Sequence, residues 1–163
     1  MGFGRSAHGV ARVVGASVVT AGTVLMSAPV PFASAQPCPD VEVVFARGTA
    51  EPPGVGGVGQ SFVDAMRAQA GNKSVAVYPV DYAASGDFGN QIGFATSFVD
   101  GIRDAADHVQ ATAATCPDTR IVLGGFSQGA AVAGFVTSAS IPPEIPPEFL
   151  PFIPKPMPPE IAD

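Results

Sequence analysis

The sequence predicts an α/β protein in which helices cover a parallel sheet, and three observations support this. Short apolar runs rich in β-branched residues recur at residues 41–46, 74–79 and 120–124. Each run is followed by a longer segment that has apolar residues at helical spacing. The resulting β-α-β-α-β-α order is typical of parallel strands joined by helical crossovers.

Each strand is followed by a helix that the apolar spacing locates. After a Gly/Pro-rich loop over residues 47–59, the first helix extends through Phe62 and Met66 and ends at Gly71. The second helix is long and stops before Cys116. Its predicted apolar face comprises Ile92, Ala95, Phe98, Ile102, Ala105 and Val109. The third helix follows Ser127.

The first 35 residues have the features of a secretory signal peptide. Arg5 and Arg12 accompany an uncharged apolar run at residues 13–26, and residues 33–35, Ala-Ser-Ala, have the small-x-small pattern of a cleavage site. A membrane anchor is the alternative, but the run is shorter than the roughly 20 residues that span a bilayer. We expect cleavage after Ala35, no stable membrane span afterwards, and a protein that is secreted or associated with the cell wall.

The predicted mature chain, residues 36–163, is acidic. The whole sequence has 8 basic and 14 acidic residues, and Arg5 and Arg12 are the charged residues of the leader. Six basic and fourteen acidic residues therefore remain, with a net charge of −8. Because the basic residues form no cluster, we expect neither nucleic acid nor an anionic membrane as a partner.

Two cysteines, Cys38 and Cys116, lie in the exported part. Of the two histidines, His8 lies in the leader, so these residue types cannot form a convincing zinc site and we expect no metal. In an oxidising compartment a Cys38–Cys116 disulfide is the natural interpretation, and two free thiols are the alternative.

Residues 124–131, GGFSQGAA, contain the G-x-S-x-G spacing of a nucleophile elbow. The spacing alone is weak in a glycine-rich chain, but the apolar run before Ser127 and the helical segment after it give the strand–turn–helix that an elbow requires. Gly125 and Gly129 allow the strand and helix to approach closely. The helix N-terminus would favour a developing oxyanion. The alternative is a serine that caps an ordinary helix.

A second glycine motif, GVGGVG at residues 54–59, has the spacing of a dinucleotide fingerprint, with Asp81 22 residues further on. However, its first glycine lies eight residues beyond the predicted strand end at Ala46, whereas the fingerprint turn follows its strand directly. An exported protein would also meet little nicotinamide cofactor. We therefore interpret these glycines as loop flexibility, expect no cofactor, and regard an oxidoreductase as the least favoured hypothesis.

Three segments resemble the cutinase family, particularly its secreted actinobacterial cutinase-like esterases. They are CPDVEVVFARGTAEPPGVGGVGQSF from residue 38, VYPVDYAAS from residue 77 and CPDTRIVLGGFSQGAAVA from residue 116. The resemblance implies a three-layer α/β-hydrolase-like (cutinase-type) parallel sheet flanked by helices, with little or no lid. It also implies a cofactor-free serine esterase that cleaves acyl esters, lipid esters or polyester through an acyl-enzyme.

The resemblance assigns roles to individual residues. It implies Ser127 as the nucleophile, and Gln128 as the source of one oxyanion-hole N–H. Thr49, in the ARGT segment, would supply the second donor. The first disulfide of the family matches Cys38 and Cys116.

The chain departs from the family after the elbow. In the family an Asp and then a His follow the serine, whereas here only Asp163 follows Ser127, too early for the catalytic acid, and no histidine does. The second family disulfide is also absent. His108 precedes the serine, and we interpret it as a solvated histidine on the polar face of the second helix rather than as the base.

We therefore expect a C-terminally truncated cutinase-like chain that lacks the last strands and has impaired activity. The partial α/β domain would comprise residues 36–140. Residues 141–163 would form a Pro-rich connection, because nine prolines between positions 142 and 159 exclude regular helix or strand. A non-catalytic exported protein on the same fold, which binds lipid or acts at the cell surface, is the alternative.

Overall fold

The computed structural model describes residues 37–143 and 145–162. The predicted signal peptide and Asp163 lie outside the described residues. The elements are β1 (Val41–Ala46), α1 (Gly56–Gln69), β2 (Val75–Pro79), α2 (Gln91–Thr115), β3 (Arg120–Gly125), α3 (Gln128–Val136) and α4 (Pro159–Ala162). The predicted alternation of strands and helices is confirmed.

The three strands form a parallel sheet in the order β2-β1-β3, so β1 is central. Side chains of β1 alternate between two apolar clusters, as the period of a strand requires. Val43 and Phe45 pack with Val63 of α1 on one face. Val44 and Ala46 pack with residues of α2 and α3 on the other. The sheet is thus the middle of three layers, which confirms the predicted architecture.

The first helix begins earlier than the sequence predicts. Residues 56–59, expected in the loop, form the first turn of α1, and Glu51 Oε1 accepts a hydrogen bond from Gly57 N at 2.9 Å. A Cβ on Gly59 would lie 2.6 Å from Phe45 Cδ1. This glycine allows close packing of the helix on the strand, so the interpretation as a flexible loop is wrong here.

The predicted apolar face of α2 is correct at Ile102, Ala105 and Val109, which are buried, and wrong at Ile92, which is 77% exposed. Successive helix residues are rotated by about 100°. Val99 lies within about 20° of Ile92 around the helix axis and is buried, so the exposure of Ile92 comes from its place in the first turn of α2. Near its N-terminus α2 instead turns Ser97 towards the protein, where Ser97 Oγ accepts from Ser85 N at 3.1 Å.

The Pro-rich segment packs on the helices. Met157 is buried and Ile161 contacts the cluster shared by α2 and α3. In the described part of the segment Pro159–Ala162 form one helical turn, so the expectation that prolines exclude regular helix throughout is wrong there. A proline at the start of that turn is compatible with a helix because the first N–H groups need no intrahelical acceptor.

The Cys38–Cys116 disulfide joins the segment before β1 to the residue that ends α2, which confirms the predicted pairing. Beside it, Arg120 N donates to Asp40 O at 3.0 Å. The disulfide thus holds together the chain segments that lead into β1 and β3. Among the helices that the structure describes, none is long and apolar enough to cross a bilayer.

Removing the disulfide should lower the free energy of unfolding substantially. The two cysteines are 78 residues apart, and the chain-entropy model gives about 4.5 kcal/mol for a loop of that size. We expect this loss in urea unfolding of a Cys38→Ser/Cys116→Ser variant. Quantitative alkylation of both thiols in the unreduced protein would contradict the bond itself.

The edge of β3 predicts self-association. Within the described part of the chain β3 pairs with β1 alone, and an unpaired edge offers backbone donors and acceptors to other chains. We expect residues 36–163, expressed alone, to sediment as oligomers or to be poorly soluble. A monodisperse monomer with a cooperative melt would show this expectation to be wrong.

Candidate active site

Ser127 lies at the turn between β3 and α3 and is exposed. Its backbone has φ 52° and ψ −117°, a conformation that non-glycine residues adopt rarely. Such strain costs on the order of 1–3 kcal/mol and persists only where the surrounding structure imposes it. The structure therefore holds this serine in an unfavourable conformation that presents its side chain to solvent.

Two glycines impose that conformation. A Cβ on Gly125 would clash with Gly129 O and lie 2.7 Å from Ala130 N. A Cβ on Gly129 would clash with Ala46 O and lie 2.5 Å from Arg47 O. The backbones of β1, β3 and α3 therefore meet directly around Ser127, where no larger residue fits.

Thr49 lies in the loop after β1, and this loop contacts the elbow. Phe126 N donates to Ala46 O at 3.1 Å, and a Cβ on Gly48 would lie 2.8 Å from Phe126 Cδ1. Because β1 and β3 are parallel neighbours, their carboxyl ends lie at the same edge of the sheet. The structure thus brings the Thr49 loop, Ser127 and Gln128 to one edge.

Both predicted oxyanion-hole residues have an available backbone donor. Among the residues that the structure describes, neither Thr49 N nor Gln128 N donates to a protein acceptor. The Gln128 side chain is only 8% exposed and turns inward, where Nε2 donates to Ser85 O at 3.4 Å. The group that Gln128 can offer beside Ser127 is therefore its main-chain N–H.

Arg47, which the sequence reasoning missed, holds the Thr49 loop in place. It is 4% exposed, and its guanidinium donates to Glu51 O at 2.9 Å, to Val80 O at 3.4 Å and to Tyr82 O. Tyr82 Oη donates back to Arg47 O. This side chain therefore ties the loop after β1 to the loop after β2. The sequence offered one signal for this role, a charged residue directly after a buried apolar strand.

Glu51 completes the support of the same loop. Its carboxylate accepts hydrogen bonds from Gly48 N at 2.5 Å and from Gly57 N at 2.9 Å. Ala50 has a positive φ of 59° and donates its N–H to Ala84 O at 2.7 Å. The N–H groups of Gly48 and Ala50, on either side of Thr49, are therefore hydrogen-bonded. The N–H of Thr49 between them is left without an acceptor among the described residues.

His108 lies far from Ser127. Its Nε2 is 3.1 Å from Glu42 Oε2, its ring stacks on Tyr78 with centroids 3.4 Å apart, and its side chain is 23% exposed. The description of His108 as a solvated residue is therefore wrong. Ala46 is the β1 residue beside the elbow, since it accepts from Phe126 N. Glu42, the partner of His108, lies four residues before Ala46, about 13 Å along the strand. A general base must be within hydrogen-bond reach of the proton that it takes.

The surroundings of His108 have a structural role. Burial, and then the hydrogen bond to Asp104, raise the pKa of Tyr78 to about 12. Tyr78 therefore stays protonated and donates to Asp104 Oδ1 at 3.0 Å, while Asp104 Oδ2 accepts from Asp81 N at 2.8 Å.

In the described ranges no three His, Cys, Asp or Glu side chains are grouped as metal ligands.

The fold and this site define an α/β protein with a strained, exposed serine at a strand–helix elbow. The family described as Cutinase matches residues 37–163, and the chain belongs to the cutinase family. It is 50% identical over 143 residues to Phospholipase Culp4 of Mycobacterium tuberculosis, in an alignment that covers 85% of this chain and 59% of that protein.

Two further comparisons agree with this assignment. Carboxylesterase Culp1 of Mycobacterium tuberculosis is 48% identical over 136 residues, which cover 82% of this chain and 59% of the relative. The structure of Trichoderma reesei cutinase with a C11Y4 phosphonate inhibitor matches with a TM-score of 0.52 and 33% identity, over 72% of this chain and 49% of that one. The chain thus spans about 59% of the length of these two curated relatives.

Two glycines of the same helix give a matched test of the elbow. Gly129→Ala should destabilise the fold by about 1–3 kcal/mol or more, because the new methyl group would overlap backbone atoms of β1. Gly134→Ala meets no atom within 4 Å and should stabilise α3 by roughly 0.5–1 kcal/mol. Urea unfolding measures both, and equal effects would contradict the close contact.

Proposed function

We propose that this chain is the nucleophile-bearing part of a carboxylic ester hydrolase, with Ser127 as the nucleophile. One observation carries the proposal: Ser127 is held in a strained, exposed conformation between Gly125 and Gly129. Membership of the cutinase family supports an ester substrate. The substrate class we propose comprises short- to medium-chain acyl esters, lipid esters and polyester.

In the proposed reaction Ser127 Oγ attacks the ester carbonyl carbon and gives up its proton to a base. The carbonyl oxygen becomes negatively charged, and the free N–H groups of Thr49 and Gln128 stabilise it. The intermediate then expels the alcohol, which takes the proton from the protonated base. Water attacks the remaining acyl-enzyme and releases the carboxylic acid.

The base in this scheme is not a described residue. His108, the histidine of the described ranges, is bound to Glu42 at the amino end of β1. A positioned base contributes typically about 10²–10⁴-fold to such reactions. We therefore propose that the 163-residue chain by itself is an impaired catalyst.

We also propose that the protein is secreted. Residues 1–35 have the pattern of a signal peptide. A disulfide between Cys38 and Cys116 fits an oxidising compartment.

Hydrolysis of p-nitrophenyl butyrate tests the role of Ser127. We expect the chain to hydrolyse this ester near the uncatalysed rate, because Ser127 keeps its donors but the described residues give it no base. Added imidazole should supply the missing base and raise the rate of the wild type above that of Ser127→Ala in the same buffer. Ser61→Ala, which removes another exposed serine hydroxyl, should behave as the wild type does.

Two outcomes would contradict this account. Equal imidazole-dependent rates for the wild type and Ser127→Ala would show that Ser127 is not a nucleophile. Rapid Ser127-dependent turnover without imidazole would show that a base is present, and His108→Ala would then be the first variant to measure.

A further inference from the structure

An open apolar trough of about 300 Å³ lies along the N-terminal half of α2. One wall is a stripe of that helix with the i, i+3, i+4, i+7 spacing of a single helix face. The other wall comes from the Pro-rich segment. The helix stripe consists of Ile92, Ala95, Thr96 and Val99, the facing wall of Phe149 and Phe152, and Asp100 and Arg103 complete the lining.

The trough exposes large apolar side chains that the core does not use. Ile92 is 77% exposed and Phe152 is 60% exposed. Exposed apolar residues that occur singly are ordinary, but a contiguous apolar surface beside a concavity is typical of a binding site. A second apolar hollow of about 150 Å³, which shares Phe149 with the trough, extends this surface.

A cation lies at one end of the trough. Arg103 is eleven residues after Ile92, which corresponds to about 16 Å along the helix. Its Nη1 donates to Asp100 Oδ1 at 3.2 Å and its Nη2 donates to Phe152 O at 3.3 Å. A guanidinium has five N–H donors, so three are free of these bonds. The Arg103–Asp100 pair is about half exposed, and exposed pairs are weak enough for another anion to compete.

We propose that this trough binds one free medium-chain fatty carboxylate. The alkyl chain would lie between Ile92 and Phe152, and the carboxylate would bind the free donors of Arg103. A space of 300 Å³ holds about ten groups the size of a water molecule, each about 30 Å³. A chain of about ten carbons therefore matches the trough in volume.

A free carboxylate fits this surface better than a membrane does. The trough has the volume of a single chain, and its lining contains a single cation, Arg103, which suits one carboxylate rather than a layer of head groups. Ser127 is not part of the trough, so the inference goes beyond the proposed function and does not depend on it. Fatty carboxylates are nevertheless products of the ester hydrolysis proposed above.

Equilibrium dialysis of the full chain against radiolabelled decanoate, below its micellar concentration, tests the proposal. We expect one saturable site in the wild type. Ile92→Ser and Phe152→Ser should each weaken binding at least fivefold. Phe62→Ser, which replaces a partly exposed phenylalanine of α1 that contacts Phe45 and not the trough, should leave it unchanged. Residues 1–35 are the same in every variant, and a thermal melt of each variant confirms folding.

The head group is tested separately. Arg103→Gln should weaken decanoate at least threefold and leave decanol unchanged, whereas Arg67→Gln on α1 should affect neither. Ser127→Ala should bind decanoate as the wild type does, so that failure of this proposal and failure of Ser127 as nucleophile are distinguishable.

Three results would overturn the proposal. They are the absence of saturable decanoate binding in the wild type, equal losses in Phe62→Ser and Phe152→Ser, and equal binding of decanol and decanoate with no effect of Arg103→Gln. Ile92-dependent cosedimentation with phosphatidylglycerol vesicles, without binding of monomeric decanoate, would assign the surface to a membrane instead.

Discussion

The direct contact of three backbone segments around Gly125 and Gly129 is the constraint on which the carboxyl edge of the sheet depends. Because neither position has space for a Cβ, α3 begins immediately against β1 and β3. That contact leaves Ser127 with a positive φ and directs its side chain away from the packed backbone. It also leaves Gln128 N as a free donor at the start of the helix. One packing requirement thus determines both the strain and the available N–H.

The loop that carries Thr49 is fixed by a different kind of interaction. Arg47 is buried, and burial of a charge is costly unless hydrogen bonds compensate it. Three backbone carbonyls from two loops supply those bonds, and the Tyr82 ring lies 5.0 Å from the guanidinium carbon. The charge is therefore stabilised only when both loops have their native positions. Such rigidity suits the oxyanion donor proposed for Thr49, which must be in place before charge develops.

Local sequence predicted the parts of the fold that local chemistry determines. The β-branched runs located all three strands, and the glycines around Ser127 predicted the elbow. The start of α1 was missed because it depends on Glu51, a carboxylate outside the helix that binds Gly57 N. The role of Arg47 was missed for the same reason, since its acceptors Val80 O and Tyr82 O are more than 30 residues away. Interactions between distant segments leave no periodic pattern in the sequence.

The errors on α2, at His108 and at Ile92, have different geometric origins. Apolar spacing identifies a helix but does not state how it is rotated about its axis. The side chains of Ser97 and His108, which face the protein, are eleven residues apart and lie within about 20° of each other around the helix. Ile92 and Arg103 form an equivalent pair, rotated from the first by roughly 140°. This rotation buries His108 against Glu42, but it does not explain Ile92, because Val99 and Ala106 lie within about 40° of Ile92 around the axis and are buried. The exposure of Ile92 belongs to the first turn of α2. The apolar character of Ile92 serves no core contact, and the trough beside Phe152 is the surface in which it has a physical use.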